Sequence, residues 1–97
     1  MPVYISLFQW TDEGVKDVKN AVKRVEANIK MVEQAGGHVL GTYWTHGSYV
    51  FVAISEWPDE TMVSAAALTI AEKGMTHGIT MRAFTAEEMQ RIIDKMP

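Results

Sequence analysis

Residues 38–56 read HVLGTYWTHGSYVFVAISE, and this stretch decides the fold that the sequence predicts. Two runs rich in β-branched and aromatic residues, His38 to Thr45 and Ser48 to Glu56, are separated only by His46 and Gly47. Runs of this composition are typical of strands, and so short a separation predicts an antiparallel hairpin. The middle of the chain therefore holds two adjacent strands, and the flanking segments decide what packs on them.

A helix is predicted on each side of this hairpin. Residues 20–35 carry valine and isoleucine at three- and four-residue steps, the period of an amphipathic helix, and Gly36-Gly37 supplies the backbone freedom that ends it. Beyond the hairpin, Pro58 precedes two acidic residues and an alanine-rich stretch, residues 62–72, that ends near Gly74. Proline and acidic residues favour the first turn of a helix, so this stretch is predicted as the second helix.

The two ends of the chain complete the pattern. Val3 to Trp10 (VYISLFQW) and His77 to Phe84 (HGITMRAF) have the composition of strands, and Thr85 to Glu88 match a capping box that begins a last helix, Ala86 to Lys95. The order is β-α-β-β-α-β with a C-terminal helix. This order predicts an α+β, ferredoxin-like sandwich, in which two helices cover one face of a four-stranded antiparallel sheet and the first and third strands are central.

Alternation along the two central strands predicts which residues face the helices. Aliphatic side chains share one face of each strand and are expected under the helices: Val3, Ile5, Leu7, Val50, Val52 and Ile54. The opposite face then carries five aromatic residues: Tyr4, Phe8, Trp10, Tyr49 and Phe51. Because these rings exceed the apolar patch that a monomer usually exposes, we expect a second subunit to cover them in a homo-oligomer, a dimer or a higher assembly.

Composition narrows the functional classes. The 97 residues have the length of one domain, residues 1–97, and carry a formal charge of −3, from nine Lys and Arg against twelve Asp and Glu. The most basic segment interleaves acids with its lysines, which argues against nucleic-acid binding. No apolar run is long enough to span a membrane, and the N-terminus lacks a signal-peptide pattern. With no cysteine in the chain, a cytoplasmic location is expected.

The chain carries five short motifs: Trp10-Thr11-Asp12, Gly36-Gly37, Tyr43-Trp44-Thr45, Gly47-Ser48-Tyr49 and Met81-Arg82-Ala83-Phe84-Thr85. Together they resemble the GYD-domain family of small bacterial and archaeal proteins. The resemblance runs nearly end to end and implies a ferredoxin-like or dimeric α+β-barrel relationship, without an established biochemical activity. At the signature, Val50 stands where the family shows Asp. The alternation of side chains along the strand directs position 50 towards the helices, together with Val52 and Ile54. This placement favours a structural role for the family's Asp.

Arg82 is the most informative charged residue for a binding site. Alternation puts it with Thr80 and Phe84, on the expected aromatic face beside Ser6 and Tyr49. A guanidinium on a covered face needs a carboxylate, an aromatic ring or an anionic ligand as its partner, so an internal ion pair, an arginine that reaches solvent and ligand recognition all stay open. The predicted ligand-binding residues are Ser6, Trp10, Tyr43, Tyr49 and Arg82.

No sequence motif for catalysis, a metal or a cofactor is present. His38, His46 and His77 lack the spacing of metal ligands, and there is no nucleophile elbow, phosphate-binding glycine loop or paired-carboxylate motif, so neither a metal nor a cofactor is expected. Three functions stay open: a ligand-binding module that oligomerises through its sheet, a cofactor-independent enzyme such as an isomerase or oxygenase, and an oligomerisation domain without a ligand. A cavity lined by Arg82 and Tyr49 would favour the first two.

Overall fold

The predicted hairpin is part of a four-stranded antiparallel sheet. The computed structural model describes residues 1–97. Its strands are β1 (Val3–Trp10), β2 (His38–Trp44), β3 (Phe51–Glu56) and β4 (Thr76–Ala83). They lie side by side in the order β2-β3-β1-β4, so β1 and β3 are central and β2 and β4 are the edges, as predicted.

Helices connect and extend the sheet. Between β1 and β2 lie α1 (Asp12–Lys16), a 3₁₀ turn (Val18–Asn20) and α2 (Ala21–Gln34). Helix α3 (Glu60–Glu72) connects β3 to β4, and α4 (Ala86–Asp94) follows β4. This order and the antiparallel sheet confirm the α+β, ferredoxin-like class. None of these helices combines the length and the apolar character that crossing a membrane requires.

Local sequence signals mark several of the helix ends. Gly36, just after α2, has a φ of 99°. At α4 the Thr85 hydroxyl accepts a hydrogen bond from the Glu88 N–H at 3.1 Å, and the Glu88 carboxylate accepts one from the Thr85 N–H at 2.9 Å, which confirms the capping box. Helix α1, which the sequence analysis does not predict, also begins at a local cap, because the Thr11 hydroxyl accepts from the Gly14 N–H at 2.9 Å.

The two faces of the sheet are the reverse of the prediction. Tyr4 is only 5% exposed and belongs to a core that includes residues of α2 and α3. Phe8, Trp10 and Phe51 share its side of the sheet and also lie under these helices. We call this side the aromatic face. The aliphatic residues that were expected there lie on the opposite side: Val3, Ile5, Leu7, Val52 and Ile54. Of the predicted set only Val50, which precedes β3, lies on the helix side.

The size of the helical side chains gives the physical reason for this reversal. Helix α3 presents small residues such as Ala66 and Ala67 towards the sheet, which leaves a wide gap that aromatic rings span and branched aliphatic side chains do not. Trp57, which follows β3 and is 2% exposed, packs at one end of this layer. It lies so close to Gly37 that a β-carbon there would be 2.7 Å from the indole.

The other side of the sheet, which we call the open face, is aliphatic. Register places two rows of residues side by side: Ile54, Ile5 and Met81 in one row and Val52, Leu7 and Ile79 in the next. Ile79 is 49% exposed and Met81 is 41% exposed, whereas the four residues of the central strands are half-buried, so this surface is uncovered mainly along β4. The argument that a second subunit must cover the aromatic rings is therefore wrong, because α2 and α3 cover them.

Candidate functional site

Four aromatic rings form the floor of the candidate site. Register pairs Phe51 of β3 with Phe8 of β1 on one side and with Trp44 of β2 on the other. The ring centroids are 6.0 Å apart for Phe8 and Phe51, 4.7 Å for Trp44 and Phe51, and 6.2 Å for the stacked rings of Trp10 and Trp44. Pairs at these separations stabilise one another beyond simple burial. We call these four residues the aromatic cluster; it lies at the edge where β1 and β2 end.

Helices α2 and α3 form the roof of the site. On α2 the apolar residues that face the sheet recur at helical spacing: Ala21, Val25, Ile29 and Val32. On α3 the corresponding residues are Val63, Ala66, Ala67, Ile70 and Ala71. Because many of these side chains are small, the helices do not close onto the rings. A cavity of about 170 Å³ remains between the roof and the floor.

The cavity is mostly apolar and open to solvent. Of the 27 residues that line it, 18 are hydrophobic, and they include all three tryptophans of the chain. Trp57 is 2% exposed, whereas Trp44 in the aromatic cluster is 46% exposed. The cavity is therefore closed near Trp57 and open to solvent at Trp44, and also where the lining residues Ala67, Lys73, Gly78 and Thr80 are exposed.

A pair of hydroxyl groups supplies polar atoms in the floor. The Oγ atom of Ser6 and the Oγ1 atom of Thr80 are 3.0 Å apart across β1 and β4. A hydroxyl group has one hydrogen to donate and lone pairs to accept with. When one hydroxyl of the pair donates to the other, the second keeps its hydrogen for a third group. The pair can thus orient a polar substituent of a bound molecule.

Two cations border the cavity, and they differ in their partners. Arg24 donates to the Asp17 carboxylate at 2.6 Å and to the Asp17 carbonyl at 2.9 Å, so its charge is compensated. Lys73 donates to the Oδ1 atom of Asn28 at 2.6 Å, a bond that joins α3 to α2. The ion pairs of the chain do not include Lys73. The rim therefore carries one neutralised cation and one cation without a carboxylate partner.

Two of the five predicted ligand-binding residues line the cavity. Ser6 and Trp10 contribute to its floor. Tyr43 lies on the open face and is 66% exposed. Tyr49 lies in the connection between β2 and β3, where its carbonyl accepts from the Thr45 hydroxyl at 2.6 Å, and it is not among the lining residues. The structure thus places Tyr43 on the other face of the sheet from Ser6 and Trp10, and Tyr49 outside the cavity lining.

Arg82, the fifth predicted residue, lies outside the cavity among partners of its own chain. Its guanidinium is 3.5 Å from the Glu88 carboxylate, 4.6 Å from the centre of the Phe84 ring and 5.9 Å from that of Tyr4. It also donates to the carbonyl of Ala83. These contacts correspond to the internal ion pair, one of the three possibilities that the sequence leaves open, and a role in ligand recognition stays a prediction.

The residues that line the cavity but were not predicted as site residues include Trp44, Trp57 and Lys73. The register of β2 shifts between Val39 and Gly41, which puts Trp44 on the aromatic face. Trp57 lies outside the strand, where alternation gives no information. The available signal was the alanine content of α3, since small helical residues call for large residues on the sheet beneath them.

No metal site is built by the titratable side chains. The structure contains no group of three or more His, Cys, Asp or Glu residues that could share a metal ion. His38 lies 3.1 Å from the Glu33 carboxylate, and both side chains are about half exposed. The cavity lining contains no His, Asp or Glu at all, so its polar chemistry is that of hydroxyl, amide and cationic groups.

Comparison with known proteins gives one match. Neither curated proteins nor solved structures match the chain significantly. The family model described as GYD domain matches residues 4–93, from the start of β1 into α4. The matched span contains the whole cavity lining and nearly the whole chain. The chain therefore belongs to the GYD-domain family.

Proposed function

We propose that this protein binds a small, mostly apolar molecule about the size of one aromatic ring, in the cavity between the aromatic cluster and helices α2 and α3. The cavity itself carries the proposal, because a chain of 97 residues keeps a space of about 170 Å³ whose lining is two-thirds hydrophobic. Apolar cavities of ~150 Å³ bind benzene-sized molecules. A void of this size costs stability, since its lining atoms lack packing partners, and a bound molecule would recover those contacts.

The polar groups of the cavity suit recognition. Binding pockets are typically apolar with a few placed polar groups that fix the orientation of the ligand. Here the Ser6 and Thr80 hydroxyls lie 3.0 Å apart in the floor, and the cations lie at the rim. A ring with a single polar substituent would match this distribution.

Binding accounts for the cavity better than acid–base catalysis does. A general acid or base must lie within hydrogen-bond reach of the substrate, and the residues most often used are histidine and the carboxylates, none of which lines the cavity. A cofactor-independent isomerase or oxygenase would have to work with the Ser6 and Thr80 hydroxyls and the cationic rim. Conversion of a bound molecule would be the sign of such an enzyme.

Two alanines of α3 provide a matched test of the cavity. Ala67 lines it and Ala65 does not, although both are exposed to solvent. We expect Ala67→Leu to fill the cavity and abolish binding of benzyl alcohol, and Ala65→Leu to leave binding unchanged. Quenching of tryptophan fluorescence measures the binding, because all three tryptophans line the cavity. Equal binding by the two variants, or no binding of single-ring compounds by the wild-type chain, would refute the proposal.

We also propose that the open face packs against the same face of a second copy in a two-fold symmetric dimer. Strands of six to eight residues make this face roughly 20 Å by 25 Å. Its aliphatic side chains are exposed along β4, at Ile79 and Met81, and Tyr43 extends it on β2, where it is 66% exposed. Face-to-face packing of two such sheets is a common way to bury an apolar surface, and specific interfaces bury ~800 Å² per partner.

A charge on the open face tests this assembly. Ile79 lies on that face and is 49% exposed, whereas Leu68 lies on α3 and is 71% exposed. We expect Ile79→Glu to reduce the sedimenting species to the 10.9 kDa of one chain, and Leu68→Glu to keep twice that mass. A wild-type chain that sediments as a monomer at micromolar concentration would refute the dimer. A dimer in which no single-ring compound binds would leave an oligomerisation domain as the function.

A further inference from the structure

The two cations at the cavity rim differ in how their charges are neutralised. Arg24 forms an ion pair with Asp17 at 2.6 Å. Lys73 has only the neutral amide oxygen of Asn28, 2.6 Å from its Nζ atom, as a side-chain partner. Because an ammonium group carries three N–H donors, two donors of Lys73 have no partner in the chain. The rim thus has an unused positive charge with free donors.

Contacts at the end of α3 hold this charge near the aromatic cluster. The Thr11 hydroxyl, next to Trp10, donates to the carbonyl of Gly74 at 2.6 Å, and the Thr11 N–H donates to the carbonyl of Met75 at 3.3 Å. In the sheet, Trp10 pairs with Thr76. The residues that follow Lys73 are therefore tied to the end of β1 where the cavity opens.

We propose that the molecule bound in the cavity is a single-ring aromatic carboxylate, with its ring against the aromatic cluster and its carboxylate on the Nζ atom of Lys73. This inference rests on the proposed function and adds the charge of the ligand to it. The carboxylate accepts hydrogen bonds from the two free N–H donors of Lys73. This contact is charge-assisted and lies at the edge of an apolar surface, where screening by water is weaker than on an open surface. The lining offers it no competing carboxylate, since neither Asp nor Glu is present there.

Three ligands of similar shape and different charge test the inference: benzoate, the neutral benzyl alcohol and the cationic benzylamine. We expect calorimetric titration of the wild-type chain to rank them in that order of affinity. In Lys73→Met, benzoate should bind about tenfold more weakly, which corresponds to ~1.4 kcal/mol, while benzyl alcohol should bind unchanged. Lys23→Met is the control, because Lys23 is an exposed lysine of α2 that does not line the cavity. Added salt should weaken the binding of benzoate only.

The outcomes separate this inference from the proposed function. If benzyl alcohol binds and benzoate binds no better, or if Lys73→Met affects both ligands equally, the charge assignment is overturned and the cavity remains a site for neutral rings. If no ring compound binds to a chain whose circular dichroism shows it folded, the proposed function fails, and this inference fails with it. Lys73 also caps the end of α3, where a cation favours the helix dipole. A variant that melts earlier but keeps its preference for benzoate would show that this structural role is the only one.

Discussion

The two faces of the sheet differ in side-chain size and in what they leave unfilled. The aromatic face meets helices built partly of alanine, and rings against such helices leave a cavity of about 170 Å³. The open face carries rows of aliphatic side chains in register, which present an even surface without such a gap. Native interiors are packed as densely as organic crystals, so a persistent gap on one face is informative. This difference is the basis of our two proposals, a small molecule on the aromatic face and a second subunit on the open face.

Truncation of one large residue on each side gives the largest expected contrast. Trp57→Ala should lower the free energy of unfolding by about 3–5 kcal/mol, because Trp57 is 2% exposed and its removal leaves a void beside the core. Ile79→Ala, on the open face, should cost clearly less in the monomer, since this side chain is 49% exposed. Urea unfolding at low protein concentration measures both changes. Similar losses would mean that the open face contributes to the core of the single chain.

Two edge-strand glycines give a second contrast, of intermediate size. A β-carbon at Gly78 would lie 2.8 Å from the Phe8 ring, so Gly78→Ala should turn that ring, disturb the aromatic cluster and cost about 1–3 kcal/mol. A β-carbon at Gly41, which faces the open side, would meet only the Tyr43 ring at 3.7 Å, an ordinary contact. Gly41→Ala should therefore be neutral or slightly stabilising. Thermal melting compares them, and equal melting temperatures would contradict the packing described for Phe8.

The backbone of this fold was predictable because its signals are local. The hairpin, the helix stop at Gly36 and the capping box at Thr85 each depend on a few neighbouring residues. The order of elements then leaves few topologies, and the ferredoxin-like one is correct. Only α1 was missed, because the Thr11 cap acts on a helix of five residues that carries no apolar period.

The faces, and with them most of the site, were not predictable from alternation alone. Alternation divides the residues of a strand into two sets, but it does not say which set meets the helices, and both sets are apolar here. The choice depends on the size match between the rings and alanines such as Ala66, which is a tertiary property. Ser6 and Trp10 were found because they share the ring side of β1. Tyr43 was assigned to the site although its own strand directs it to the open face.

A single polar atom on the aromatic face gives a smaller effect. Tyr4 is only 5% exposed, and its hydroxyl group is buried without a hydrogen-bond partner. Because a buried unpaired polar group is costly, Tyr4→Phe should stabilise the chain by about 1 kcal/mol, or about 4–8 °C in a domain of this size. Thermal melting measures the gain, with Tyr43→Phe on the open face as a control that should change little. A clear loss of stability in Tyr4→Phe would show that the hydroxyl has a partner.

The smallest expected effect on stability concerns α4. Arg82, at the end of the aromatic face, connects this helix to the sheet. Hydrogen bonds from the backbone N–H and hydroxyl of Thr85, together with the charge of Arg82, hold the pKa of Glu88 below its usual value of 4.5. A carboxyl with a lowered pKa contributes stability that is present above its unfolded value and is lost as the pH falls through the folded one. The melting temperature of the wild-type chain should therefore exceed that of Glu88→Gln at about pH 7, and the difference should fade below pH 4.5.

Glu87→Gln is the control, since the Glu87 side chain is 84% exposed and only its pair with Arg91 is lost. If wild type and Glu88→Gln melt alike at about pH 7, the hydrogen bonds of the cap, which glutamine keeps, account for the contact and the charge of Glu88 adds nothing. A difference that stays constant down to about pH 3 would mean that it does not arise from the ionisation of Glu88.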